Sequence, residues 1–222
     1  RFARESAWLG PVKAGRPLVW YSGDDSRGEY VYKYVSDAAW DPADAARGMA
    51  AGDKYLDAGK LYVAKFNADG TGEWLELSLA NATVAGYASY AFADEGDVAL
   101  HSRIAGDAVG ATKMDRPEWC GVNPTTGEVY FTLTNNSNRR LGAVTGSQLN
   151  PDPANPRVYT DIRGAATVQS GNPNGHIVRM KENGDEPGAT AFTWDIYLFG
   201  AEAGAPSGII NLSGLTDEQD LS

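Results

Sequence analysis

The chain has 222 residues, with 29 Asp and Glu against 19 Lys and Arg and a formal net charge of -10. With no Lys/Arg-rich stretch to offset it, that balance argues against a nucleic-acid partner held by phosphate neutralisation. Cys120 is the single cysteine, which excludes an intrachain disulfide and a thiolate metal cage, so a metal would need oxygen ligands or the two histidines. No apolar run of ~18 residues offers a membrane span, and the charged start RFARESAW lacks the apolar core of a signal peptide.

Strand-like runs recur along the chain and long helical patterns do not. PLVWYSG (17–23) and EYVYKYVS (29–36) carry the aromatic and β-branched residues and the short alternation of strands. The stretch SDAAWDPADAARGMAAGDKYLDAG is rich in Ala and Asp, with helix starts available at Asp41 or Asp44, and reads as a helical insertion or an ordered loop. KLYVAKFNADGTGEWLEL is two alternating runs joined by Asn67, Ala68, Asp69, Gly70, Thr71 and Gly72, which is hairpin chemistry. The alanine-rich TVAGYASYAFADEGDVALHSRIAGDAVGAT is expected to hold one or two helical turns. EVYFTLT (128–134) alternates like a half-buried strand, and NPNGHIVRMKENGDEPGATAFTWDIYL suggests a second hairpin with a glycine turn and a Trp-containing strand. Short strands at hairpin spacing with an aromatic per hairpin suit a β-propeller, and at ~40 to 50 residues per blade the chain would hold about four or five blades. The expected fold is therefore all-β, a single and incomplete propeller domain over residues 1–222 with short helical insertions. The abrupt start and the acidic close GLTDEQDLS suggest a fragment.

Several polar groups stand out. Asp24 and Asp25 follow the first predicted strand, where they suit a turn, while Glu29 opens a strand rich in Tyr and Val although Glu is depleted in strands. Hard cations such as Ca²⁺ need several converging carboxylate or carbonyl oxygens, and strand ends can supply them. In MDRPEW, Arg116 offers a planar fork for a carboxylate or phosphate, Pro117 fixes the backbone, and Glu118 points to the same side if the segment is extended. An ordinary surface ion pair accounts for the two equally well. Cys120 reads as a small packing residue, and His101 and His176 lack metal spacing and read as structural. Asn135 and Asn136, with Arg139 and Arg140 behind them, form a turn or a Ca²⁺- and phosphate-binding loop.

Taken in order, GDDSRGEYVYKYVS, KLYVAKF, MDRPEWCGVNPTTGEVYFTLTNNSNR, NPNGHIVRMKE and FTWDIYLFG resemble the PhoX-type alkaline phosphatases, over most of the chain from about Pro17 to Ser222. The resemblance implies a six-bladed propeller, export to the bacterial periplasm or beyond through the twin-arginine route, and a site with Ca²⁺ and iron (Fe³⁺) near the propeller axis that hydrolyses small-molecule phosphomonoesters. Glu29 and Glu118 resemble the family's metal-binding glutamates, Arg116 an arginine on the substrate phosphate, Asp195 a calcium ligand and Asn136 a substrate contact. A cysteine that ligates iron belongs to a family segment upstream of the stretch that begins here, so Cys120 is not assigned to it and the chain carries half of a metal cluster. The mechanism implied is metal-assisted displacement by a monomeric enzyme, with Arg116 and Glu118 in the catalytic roles. A non-catalytic calcium-binding propeller module and a lactonase-like propeller hydrolase remain open at this point.

Overall fold

A computed structural model describes residues 3–163 and 167–200. Its strands are β1 (Arg4–Leu9), β2 (Pro17–Asp24), β3 (Arg27–Glu29), β4 (Val31–Ala39), β5 (Gly59–Phe66), β6 (Thr71–Glu76), β7 (Met114–Asp115), β8 (Pro117–Val122), β9 (Val129–Leu133), β10 (Tyr159–Arg163), β11 (Thr167–Gly171), β12 (His176–Glu182) and β13 (Ala191–Phe199). Nine of them form one antiparallel sheet in the order β1-β2-β4-β5-β6-β13-β12-β9-β8, while β3 pairs with β7 and β10 with β11. The all-β expectation holds. Both expected hairpins are present as β5–β6 and β12–β13, and they join edge to edge where Ala191 of β13 faces Glu73 of β6.

The sheet curls until its ends nearly meet. Trp8 of β1 and Trp119 of β8 pack edge to face with ring centroids 6.1 Å apart. Inside the curl, Glu182 of β12 accepts from Lys33 Nζ of β4 at 2.9 Å, Tyr21 Oη of β2 at 2.8 Å and Trp74 Nε1 of β6 at 3.0 Å. Lys33 and Glu182 stand on strands separated by three others, so only a curved sheet lets them touch. Burial lowers the Lys33 ammonium to about 8 and raises the Glu182 carboxyl, each against the pull of its partner.

Alternation along the strands fills two cores. Val19, Tyr21, Val31, Phe131, Val178 and Phe192 pack on the inner face. Tyr30, Tyr32 and Val63 point to the outer face, under α2 (Ala82–Ala85), α3 (Glu95–Leu100) and α4 (Ser102–Val109). These three helices exceed the one or two turns expected, because the starts of α2 and α3 are capped and the outer face of β4 and β5 offers all three an apolar bed. Asn81 accepts from Thr83 N, Asp94 accepts from Asp97 N, and Gly110 ends α4 in the left-handed conformation. The earlier insertion is a 3-10 segment, Pro42–Ala51, followed by α1 (Gly52–Leu56), with Asp41 as its N-cap. Asp44 instead packs inward and holds Lys54, Tyr55 and Arg47. No helix among the described residues is long and apolar enough to cross a membrane. GLTDEQDLS lies outside the described residues.

Candidate active site

Asp24 ends β2, Glu29 ends β3, and β3 pairs with β7 so that Arg27 faces Asp115 and Glu29 faces Met114. That pairing sets the GDDSRGE turn against DRPEW, and two ion-pair clusters follow, joined through the adjacent Asp24 and Asp25. Glu118 Oε1 lies 3.0 Å from Arg116 Nη2, and Arg116 Nη2 in turn donates to Asp25 Oδ2 at 3.0 Å, with Nε 2.9 Å from Asp25 Oδ1. Arg103 of α4 then spans Asp24 Oδ2, at 3.1 Å from its Nε, and Glu29 Oε1, which accepts from its Nη2. Thr134 Oγ1 donates to Glu118 Oε1 at 2.7 Å and fixes that carboxylate from the end of β9. Arg116 and Glu118 therefore share one cluster, and Glu29 stands in its neighbour, across the Asp24–Asp25 step.

The two clusters leave capacity for a ligand. Asp24 Oδ2, Asp25 Oδ1 and Glu29 Oε2 are buried carboxylate oxygens without a hydrogen-bond donor, the first two held only at ion-pair distance by an arginine. Burial raises the carboxyls of Asp24 and Glu29 above their ordinary range, which the Arg103 guanidinium opposes. A hard, oxygen-seeking cation such as Ca²⁺ fits such oxygens chemically. Among the described residues, however, no three His, Cys, Asp or Glu side chains converge to hold a metal ion. On Arg116, Nε and Nη2 are engaged by the carboxylates, and Nη1 has no partner among the described residues.

Two candidates fall elsewhere. Asp195 lies on β13, half exposed, in register with Arg179 of β12, and accepts from Arg179 Nε at 3.0 Å. The cross-strand arginine satisfies it, on a strand separated from β8 and Glu118 by β12 and β9 and in a different sheet from Glu29. Asn136 is fully buried, its Nδ2 donates to Asp115 Oδ1 at 2.6 Å and its Oδ1 accepts from Asn138 N, so both ends of its amide are engaged inside the protein. Arg139 is buried beside it on Asp115, and Asn135 Oδ1 is 3.5 Å from Arg27 Nη2. Cys120 packs in the inner core, where burial pushes its thiol well above the ordinary range. The sequence reading missed Arg103 and Thr134. Arg103 sits 74 residues from Glu29 on a short helix and carries no local motif, and Thr134 read only as the last alternating position of a strand.

The sequence profile described as alkaline phosphatase PhoX matches residues 1–221. The chain belongs to the PhoX alkaline phosphatase family. It is similar to the solved structure of Pseudomonas fluorescens PhoX in complex with vanadate, a transition state analogue, at 36% identity and a TM-score of 0.70. The match covers 94% of this chain and 34% of that one, so the chain spans about a third of that PhoX. PhoX has a β-propeller-type fold, in keeping with the propeller class expected from the short strands. Among curated proteins, none matches.

Proposed function

We propose that this chain is the part of a metal-dependent phosphomonoester hydrolase that presents an arginine to the substrate phosphate and carboxylates to Ca²⁺ and Fe³⁺. The observation that carries the reading is the Nη1 edge of Arg116, the one edge its carboxylate partners leave open, beside the second cluster in which Arg103 holds Asp24 and Glu29. A phosphate oxygen meeting that edge gains a charge-assisted bond that strengthens as charge builds in the transition state. Asp25 and Glu118 hold the guanidinium in place, so little reorganisation accompanies binding. Asp24, Asp25 and Glu29 carry the cation-seeking oxygens, and the remaining two thirds of a PhoX-length protein would complete the coordination. When bound there, the cations supply Lewis-acid neutralisation of the phosphate oxygens. The substrate is a small molecule, the protein a monomer, and its compartment the periplasm or the exterior, where phosphomonoesters are scavenged.

The test is phosphate release from a generic monoester by the full-length protein, with and without chelation and re-addition of Ca²⁺ and iron. Chelation is expected to abolish turnover, and Arg116→Ala to lower kcat/KM by roughly 10²-fold or more. Glu118→Ala, which removes both a cation oxygen and a partner of Arg116, is expected to do at least as much. Full activity in both variants would refute the site. Calcium binding at Asp24, Asp25 and Glu29 without any turnover would favour the non-catalytic module instead.

A further inference from the structure

Arg116 is one of three non-glycine residues at positive φ among the described residues, with φ of 47°. The left-handed region is unfavourable for any residue with a Cβ, and Pro117 restricts its predecessor further. A conformation of this kind persists only when the surroundings over-determine it. Here they do so from both sides.

On the N-terminal side stands Asp115, fully buried. Its Oδ1 accepts from Asn136 Nδ2 at 2.6 Å and Arg139 Nε at 2.7 Å, its Oδ2 accepts from Asn172 Nδ2 at 3.1 Å, and its backbone N donates to Asn155 Oδ1 at 3.0 Å. Arg139, itself buried, is braced by Asn150 O at 2.6 Å, Asp152 Oδ2 at 2.9 Å and Lys113 O. On the C-terminal side, Thr134 N donates to Arg116 O at 3.2 Å, and the same run of chain reaches Asn136 two residues later. A buried polar network whose members are all satisfied is rigid, because each displaced member would leave another unpaired in a low dielectric.

We propose that the buried Asp115 cluster is a positioning device for Arg116: Asn136, Arg139, Asn155 and Asn172 lock the backbone beside a strained arginine so that its open Nη1 faces the substrate phosphate. The proposal rests on the phosphatase reading for its purpose, but the positioning itself is measurable without turnover. Asn136 thereby acts through Asp115 and Arg116 and does not touch substrate.

The experiment compares the parent with Asn136→Ala, and with the milder Asn136→Ser should the alanine variant not fold. The first readout is the Arg116 Nη–H signal in nitrogen–proton NMR spectra of this chain, protected in the parent by the bond from Nη2 to Asp25 Oδ2, with the Arg179 Nη–H signal, paired to Asp195, as internal reference. Exchange at Arg116 is expected to rise about tenfold while Arg179 stays as it was. The second readout is a double-mutant cycle on kcat/KM in the full-length protein. Asn136→Ala alone should cost about tenfold, chiefly through KM, and should cost nothing more in an Arg116→Ala background. An unchanged Arg116 signal in a variant with a lowered melting temperature, or costs that multiply in the cycle, would mean that the cluster only holds the fold together and would overturn the proposal. Absence of turnover in the parent counts against the phosphatase reading alone, since the Arg116 signal still decides the positioning.

Discussion

His176 opens β12 and is completely buried. Arg157 Nη2 donates to Asn172 Oδ1, which turns the Asn172 amide so that its Nδ2 donates to His176 Nδ1 at 3.0 Å, and His176 Nε2 then donates to Ala154 O at 2.7 Å. The ring is therefore neutral with its proton on Nε2, and a second proton would meet a donor. Burial lowers its pKa from 6.5 to about 4; nearby Asp115 opposes that shift and Arg157 and Arg139 add to it. Because the folded value lies below the unfolded one, the unfolded chain binds more protons between pH 4 and 6.5, and stability falls as pH falls through that window, by up to about 3 kcal/mol from this residue. Asp24 and Glu29, with raised carboxyls, contribute in the opposite sense, losing stability as pH rises above their ordinary values. His176→Gln keeps a donor and an acceptor but does not titrate. Urea unfolding across pH 4 to 6.5 should show a flatter slope for the variant, and identical slopes would remove His176 from the account.

At the scale of elements, the site depends on how closely β2 approaches β8. Gly23 lies where an added Cβ would stand 2.4 Å from the carbonyl oxygen of Pro117, so the residue before Asp24 has no room for a side chain. Gly121, farther along β8, has nothing within 4 Å of such a Cβ. Gly23→Ala should destabilise the protein by roughly 1–3 kcal/mol through forced separation of the two strands, while Gly121→Ala should be near neutral. Guanidinium midpoints of the two variants check this, and equal effects would show that the approach is soft. The hairpins were readable as elements because a glycine turn between two alternating runs is a local signal. The two-residue β7 and the three-residue β3 were not, because short strands exist only through their pairing with each other.

For the whole molecule, the sheet has two seams between its halves: β6 against β13 by backbone pairing, and β1 against β8 by packing of Trp8 on Trp119. Glu182 adds a third tie by gathering Tyr21, Lys33 and Trp74 from the first half. With both edges and the interior joined, neither half should open alone. Denaturation followed by tryptophan fluorescence and by far-ultraviolet circular dichroism should give coincident transitions. Two separated transitions would mean that the strands up to β6 and those from β8 onward are independent units.

Strand class, the two hairpins, the cap at Asp41 and the packing role of Cys120 were determined by the sequence itself, since alternation, turn chemistry and capping act over a few residues. Glu29, Arg116 and Glu118 stood out as residues in odd places, a charge in an aromatic strand and two charges around a proline. Their assembly into two adjoining ion-pair clusters was decided only by the β3–β7 pairing and by Arg103 arriving from α4. The same folding tied Asp195 to Arg179 and sank Asn136 beneath Asp115, because a carboxylate takes its nearest cross-strand cation and a buried amide must find partners inside. Such choices are made between residues tens of positions apart, where a linear pattern carries no distance.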